Sequence, residues 1–241
     1  MTFTEISQST TYSTESRRYE AEIPGIKEQG LLLARACGLE VPAHIVVDRE
    51  SLEELDLQLV LKLLGGDGWI IRPSSRQPIN NAWQVSGLYP SYRFRGAEDL
   101  SRAVRSVIAE SDRQGKLLGD RNPRRVSFIV QKYLPARISG LSHVGKERGI
   151  LTAWGFDAVE RIASGRETGN IICTQADHPA MVTGSIAQET ALMKAATDLS
   201  LAMSSLVRLI QVGFDVEVEW LVGPLGFYVL QLQPLPDLLD R

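Results

Sequence analysis

The sequence predicts an α/β or α+β protein with antiparallel pairing late in the chain, and three observations carry that expectation. Segments with apolar residues at helical spacing alternate with short segments of period two over most of the 241 residues. The stretch 214–234, FDVEVEWLVGPLGFYVLQLQP, reads as two strands joined by a tight turn. At 44% hydrophobic and 23% charged, the composition is that of a globular protein with enough apolar residues to bury a core. The length allows one large domain or two small ones.

Residues 1–20 are rich in Ser and Thr and short of large apolar groups, which predicts a flexible tail. A helix is expected after Pro24-Gly25, running through LLLARAC to a stop at Gly38. Lys27 stands at its front, where a solvated lysine is the plain alternative to a functional one. VPAHIVVD is a short strand, and Asp48 or Ser51 can cap a following helix with Leu52, Leu55, Leu59 and Leu63 on one face. Gly65, Gly66 and Gly68 end it. GWIIRP is a strand that delivers Arg72 at its end. The polar stretch RPSSRQPINNAWQVSGLYPS, with prolines at 73, 78 and 90, is a long loop, either a binding lid or a surface excursion. Ala97 to Gln114 is a helix with Leu100, Val104 and Ile108 in a stripe, and 115–125 is a charged loop. VSFIVQKYL, RISGLSHVG, GILTAWG and TGNIICT are strands, and WGFDAVERIASG has a short helical centre. From Ala187 to Gln211, Leu192, Ala196, Leu199, Met203, Leu206 and Ile210 recur at helical spacing.

In the terminal hairpin, Phe214, Val216, Val218 and Trp220 take one face and Asp215, Glu217 and Glu219 the other. On the second strand, Tyr228, Leu230 and Leu232 alternate with Phe227, Val229, Gln231 and Gln233. Pro224 and Leu225 suit the centres of a type I turn and Gly226 the left-handed residue after it. That three-residue loop pairs Gly223 with Phe227, and so sets Glu219 opposite Gln231 and Glu217 opposite Gln233. Carboxylates and amide oxygens on one patch suit a hard cation such as Mg²⁺ shared with substrate phosphates. A hairpin with one wetted face fits the same spacing.

A net charge of -3 argues against a nucleic-acid binder. The Arg121, Arg124, Arg125 group reads as a solvated loop. Two cysteines, Cys37 and Cys173, show no metal-type spacing, and three scattered histidines, His44, His143 and His178, form no recognisable triad. No apolar run approaches a membrane span, and the N-terminus lacks an apolar signal core, so a cytoplasmic location with no membrane partner is expected. There is no internal repeat.

Five pieces, in order over roughly residues 24–236, resemble the N-terminal nucleotide-binding domain of phosphoenolpyruvate synthase and pyruvate phosphate dikinase. GIKEQGLLLARACGLEVP resembles that family's glycine-lysine opening, and places Lys27 on the lysine that contacts ATP phosphates. IIRPSSRQPINNAWQVSG resembles its arginine-serine loop, which covers the triphosphate, and makes Arg72 the second phosphate contact, with Ser86 and Gly87 closing the loop. IVQKYLPARISGLSHV resembles the adenine-lining stretch, with Gln131, Lys132, Tyr133 and Leu134 at the base and backbone groups of Tyr133 and Leu134 as hinge contacts. WGFDAVERIASG is a looser match in which Glu160 takes the place of a family acid. EVEWLVGPLGFYVLQLQPL resembles the closing hairpin, so that Glu219 and Gln231 fall on the metal-contacting pair.

The resemblance implies an ATP-grasp fold in which two lobes, about 21–115 and 116–241, close on ATP and Mg²⁺. It implies an ATP-dependent phosphotransferase component with Lys27 and Arg72 as catalytic phosphate contacts. Family members continue into a histidine-bearing swivelling domain and an acceptor domain, so a relay here is expected to use a histidine and an acceptor-binding domain on separate polypeptides. Departures stand beside this. The family arginine after L-Q-x is Gln233, which cannot supply a fixed cationic fork. Pro73 replaces a usual serine and removes an N–H donor, and Pro78 and Ile79 replace an acidic pair. These motivate the alternative of a non-catalytic relative that binds nucleotide or a partner and regulates or scaffolds. A free-standing ligase acting through an acyl-phosphate is a third reading.

Overall fold

A computed structural model of the chain describes residues 25–75, 90–117, 126–146, 149–156, 159–175, 178–183 and 186–235. The expected tail, most of the loop that carries Ser86 and Gly87, and most of the charged loop at 115–125 lie outside these residues. The chain divides into two compact units. One comprises Thr2–Gln29 and Pro42–Leu134, the other chiefly Gly30–Val41 and Pro135–Arg241.

The first unit is built on a four-stranded antiparallel sheet. Its elements are β1 (His44–Val47), α2 (Arg49–Glu53), α3 (Leu57–Leu64), β2 (Trp69–Ser75), β3 (Tyr92–Phe94), α4 (Ala97–Leu117) and β4 (Val126–Lys132), preceded by the start of α1 (Ile26–Ala36). The strand order is β1-β4-β2-β3. Alternation sends Trp69, Ile71, Phe128 and Val130 to one face, where they join Val47, Leu52, Val60, Phe94 and Val107 in a buried core. Each such side chain, fully buried, contributes roughly 1.5–3 kcal/mol. Trp69 stacks on Phe94 with centroids 5.4 Å apart and donates its indole N–H to the Gly65 carbonyl at 2.9 Å.

The single helix expected after β1 is two. Asp48 caps the first by accepting from the Ser51 N–H at 2.8 Å, and Asp56 caps the second by accepting from the Leu59 N–H at 2.8 Å. The restart at Asp56 rotates the apolar face, so Val60 and Leu64 are buried while Leu63 is 39% exposed. β2 runs past Arg72 to Ser75, with Pro73 inside it. The neighbouring β3 pairs only with Trp69 to Ile71, so the proline lies beyond that ladder. β3 escaped the sequence reading because three residues are too few to show a period.

The second unit carries a six-stranded antiparallel sheet. Its elements are β5 (Ile138–Gly145), β6 (Gly149–Gly155), α5 (Val159–Ala163), β7 (Asn170–Gln175), β8 (His178–Thr183), α6 (Ile186–Leu206), a 3-10 segment (Val207–Val212), β9 (Val216–Gly223) and β10 (Gly226–Pro234). Strands lie in the order β10-β9-β5-β6-β7-β8. Helix α6 returns the chain from β8 to β9 and packs on β5, β9 and β10. Ala195, Leu199, Ala202 and Leu206 are its buried positions. The expected stripe has Leu199 and Leu206 right, whereas Ala196 is exposed. The helical segment tightens after Leu206 and ends at Gly213, whose φ is 90°. Strand β8 was not expected from the sequence.

Under α6 the sheet presents Val216, Val218, Trp220 and Val222 beside Ile138, Val144 and Trp154, all buried. A polar chain crosses this face. The Trp220 indole N–H donates to Ser142 Oγ at 2.7 Å, and Ser142 Oγ lies 2.7 Å from Thr152 Oγ1, which reaches Met203 Sδ at 3.9 Å. None of the helices among the described residues is long and apolar enough to cross a membrane.

Candidate functional site

In the first unit, polar residues gather on the sheet face turned away from the apolar core. Strand alternation puts Arg72 and Ser74 there, and the pairings Ile70–Gln131, Arg72–Ile129 and Ser74–Ser127 add Gln131 and Ser127 from β4. All four polar side chains are buried, as is Lys27. The start of α1 is pinned on this face. The Lys27 N–H donates to Ser74 Oγ at 3.1 Å, and Ser127 Oγ donates to the Ser74 carbonyl at 3.1 Å. A Cβ at Gly25 would sit 2.2 Å from Ser74 Oγ, so only glycine lets the chain enter the helix this close to β2.

Arg72 and Gln131 thus share one sheet face, and the backbone of Lys27 is pinned against it. Among the described residues Gln131 Nε2 is buried without a hydrogen-bond partner. Such an orphan costs about 1–3 kcal/mol unless a ligand acceptor meets it. Two cations and an unmet donor fit an anionic ligand rich in acceptors. Lys132 is not part of this group. It pairs with Trp69, which puts it on the opposite face, and its stem runs beside Gly66. The Tyr133 N–H donates to the Gly68 carbonyl at 2.9 Å, so a hinge contact by Tyr133 or Leu134 rests on their other backbone groups. The Tyr133 ring carries the Arg93 guanidinium 4.3 Å from its centroid. Ser86 and Gly87 are outside the described residues.

In the second unit the hairpin brings the acid and amide together by a different route from the expected one. The turn holds two residues, Pro224 and Leu225, and pairs Gly223 with Gly226, not with Phe227. Gly226 takes the positive φ expected of it, 134°. The extra residue sits instead at Leu230, in a bulge between Val229 and Gln231. Past the bulge the pairs are Gln231–Glu219 and Gln233–Glu217, as the sequence predicts. The bulge also moves Phe227 and Val229 off the Gln231 face, to which simple alternation assigned them. Val229 pairs with Trp220 and Phe227 with Val222, and the Trp220 and Phe227 rings lie 5.9 Å apart.

Glu219 and Gln231 are 8% and 3% exposed, so they are held by their surroundings and not merely wetted. One carboxylate and one amide oxygen on paired positions can take two corners of a hard cation's shell, the rest coming from water and phosphate. Among the described residues no group of three or more His, Cys, Asp and Glu could hold a metal alone. The next rung is a hydrogen-bonded trio. Gln233 Nε2 donates to Glu217 Oε1 at 2.7 Å, and His143 Nε2 lies 3.1 Å from Glu217 Oε2. His143 faces Glu217 because β5 pairs with β9, a contact 74 residues apart that no local pattern reveals. Glu160 is on α5, which packs on β5, β6 and β9. The Val159 N–H of that helix donates to Ser139 Oγ at 2.9 Å, and Ser139 is opposite Leu221.

No protein-family model matches the chain, and no curated protein matches it in sequence. Solved structures do match in shape. The dinucleotide-forming acetyl-coenzyme A synthetase 1 of Ca. Korarchaeum cryptofilum, solved with coenzyme A, Ca-AMPCP and HgCl+, has a TM-score of 0.54 at 14% identity, over 87% of this chain and 91% of that one. PH1788 from Pyrococcus horikoshii Ot3 has a TM-score of 0.55 at 10% identity over 98% of each chain. An L-amino acid ligase from Bacillus licheniformis matches over 87% of this chain at 12% identity and a TM-score of 0.47, and the chain spans 42% of its length. The α+β fold with two antiparallel sheets is the ATP-grasp fold.

Proposed function

We propose that the chain binds Mg·ATP and is the nucleotide-binding component of a split phosphotransferase resembling phosphoenolpyruvate synthase, its phosphoryl group passing to a histidine on a partner protein. The observation that carries this reading is the pairing of Glu219 with Gln231, both buried and side by side, on an ATP-grasp fold. Lys27 and Arg72 contact phosphates, and the unmet Gln131 donor meets an acceptor on the base. Glu219 and Gln231 would hold Mg²⁺, which would neutralise phosphate charge. The remaining work of the protein is positioning, which is most of what phosphoryl transfer asks. In this reading a histidine on a partner protein receives the phosphoryl group.

One observation favours the second reading, a relative that binds nucleotide or a partner without turnover. Gln233, in the place of the family arginine, spends its amide on Glu217. Calorimetric titration with Mg·ATP tests the first reading. The wild-type chain binds, and Lys27→Ala and Glu219→Ala each weaken binding by about tenfold or more, roughly one charge-assisted contact. Absence of binding, or variants that bind as well as wild type, overturns it.

A further inference from the structure

We propose that His143 is a phosphoryl acceptor within this chain, taking the γ-phosphoryl group on Nδ1 before it passes to a second protein. The inference rests on the reading above, in which Glu219 and Gln231 hold the metal of Mg·ATP. His143 lies in a stretch that the resemblance covers but is given no role by it, and a held carboxylate contacts it. Its Nε2 lies 3.1 Å from Glu217 Oε2. A carboxylate can only accept, so Nε2 carries a proton, and the uncharged form of the ring has its lone pair on Nδ1. Among the described residues Nδ1 has no hydrogen-bond partner.

Glu217 is fixed from its other side by Gln233 at 2.7 Å and its side chain is 11% exposed, whereas the imidazole is 48% exposed. A held carboxylate therefore aims an accessible ring. The location is also right. His143 pairs with Glu217 and Leu141 with Glu219, so the imidazole is one rung from the proposed metal pair on the same sheet face. Such diagonal neighbours are about 7–8 Å apart, within reach of a phosphate chain anchored at the pair. On its other side His143 pairs with Leu151, itself 47% exposed, which leaves the ring open to a second protein.

The step balances without a further reagent. The Nδ1 lone pair forms a bond to the γ-phosphorus, the bond from that phosphorus to the β–γ bridging oxygen breaks, and its electron pair leaves with ADP. The product ring is cationic, with the phosphoryl group on Nδ1 and the proton on Nε2 beside Glu217. Glu217 is a positioning residue that fixes the tautomer and stabilises this cation. Attack on the same phosphorus by an acceptor histidine returns the ring to its starting form.

The test uses the full chain with γ-³²P-labelled ATP and Mg²⁺, quenched in alkali, with Mg·ATP affinity measured in parallel. The expected result is a label that is alkali-stable and acid-labile, that mass spectrometry of peptides maps to His143, and that ADP chases back into ATP. His143→Asn and His143→Gln lose the label to background and keep Mg·ATP affinity within twofold. A chain that binds Mg·ATP but takes no label overturns the inference and leaves the nucleotide reading standing. Label on His44 or His178, or label retained in either variant, also overturns it. A chain that does not bind Mg·ATP overturns both.

Discussion

Gly30 shows how much one residue can govern here. A Cβ at this position would lie 1.7 Å from the carbonyl oxygen of Leu232, so α1 can rest on β10 only because the side chain is missing. Leu232 is flanked by Gln231 and Gln233, and whatever displaces it displaces both amides. Gly30→Ala gains about 1 kcal/mol in helix propensity and loses more to overpacking. The expected net loss is about 2 kcal/mol, a fall in Tm of roughly 4–8 °C by circular dichroism, together with weaker Mg·ATP binding. At this scale the sequence was readable in part where chemistry is local. Glu219 is opposite Gln231 as expected, but the extra residue that sets this pairing is a bulge at Leu230 and not a three-residue turn. Lys27 and Arg72 needed a likeness to other chains, because a lone cation has no period. His143 could not be read at all, since its meaning comes from Glu217, a strand 74 residues away.

At the scale of elements, the two short helices after β1 depend on their caps. Asp48 and Asp56 each meet a backbone N–H at 2.8 Å, and each helix is too brief to persist on propensity alone. Asp48→Ala and Asp56→Ala should each cost about 1 kcal/mol. Thermal unfolding would report this as a loss of about 2–4 °C apiece, and Ser at either position should restore most of it. The sequence offers Asp48 or Ser51 as the first cap, but hides the restart at Asp56 inside a leucine-rich run that also satisfies one continuous helix. Long periodic elements such as α4 and β4 were legible. Strands β3 and β8 were not, because each becomes a strand through the neighbour it pairs with and not through its own pattern.

At the scale of the whole molecule, each compact unit has its own antiparallel sheet and its own polar cluster. Ligand linkage gives the matching prediction. If the native chain binds Mg·ATP, a concentration one hundred times Kd stabilises it by about 2.7 kcal/mol. That raises Tm by about 5–10 °C in differential scanning calorimetry, and Glu219→Ala at the same nucleotide concentration should shift far less. ADP without Mg²⁺ serves as the control. The α+β class and the antiparallel pairing were legible from the mixture of periods and the closing hairpin. The order of strands in the six-stranded sheet was not, because β9 joins beside β5, far from it in the chain.

The extra residue of the hairpin sits at Leu230, although a roomier turn would accommodate it equally well and leave Glu219 facing Gln231. Moving that slack along the ribbon exchanges which of Phe227, Tyr228 and Val229 look inward and leaves the far end untouched. The tip of this ribbon is therefore free to gain, lose or reshuffle a residue over evolutionary time, while selection on the acid and the amides is felt only beyond it.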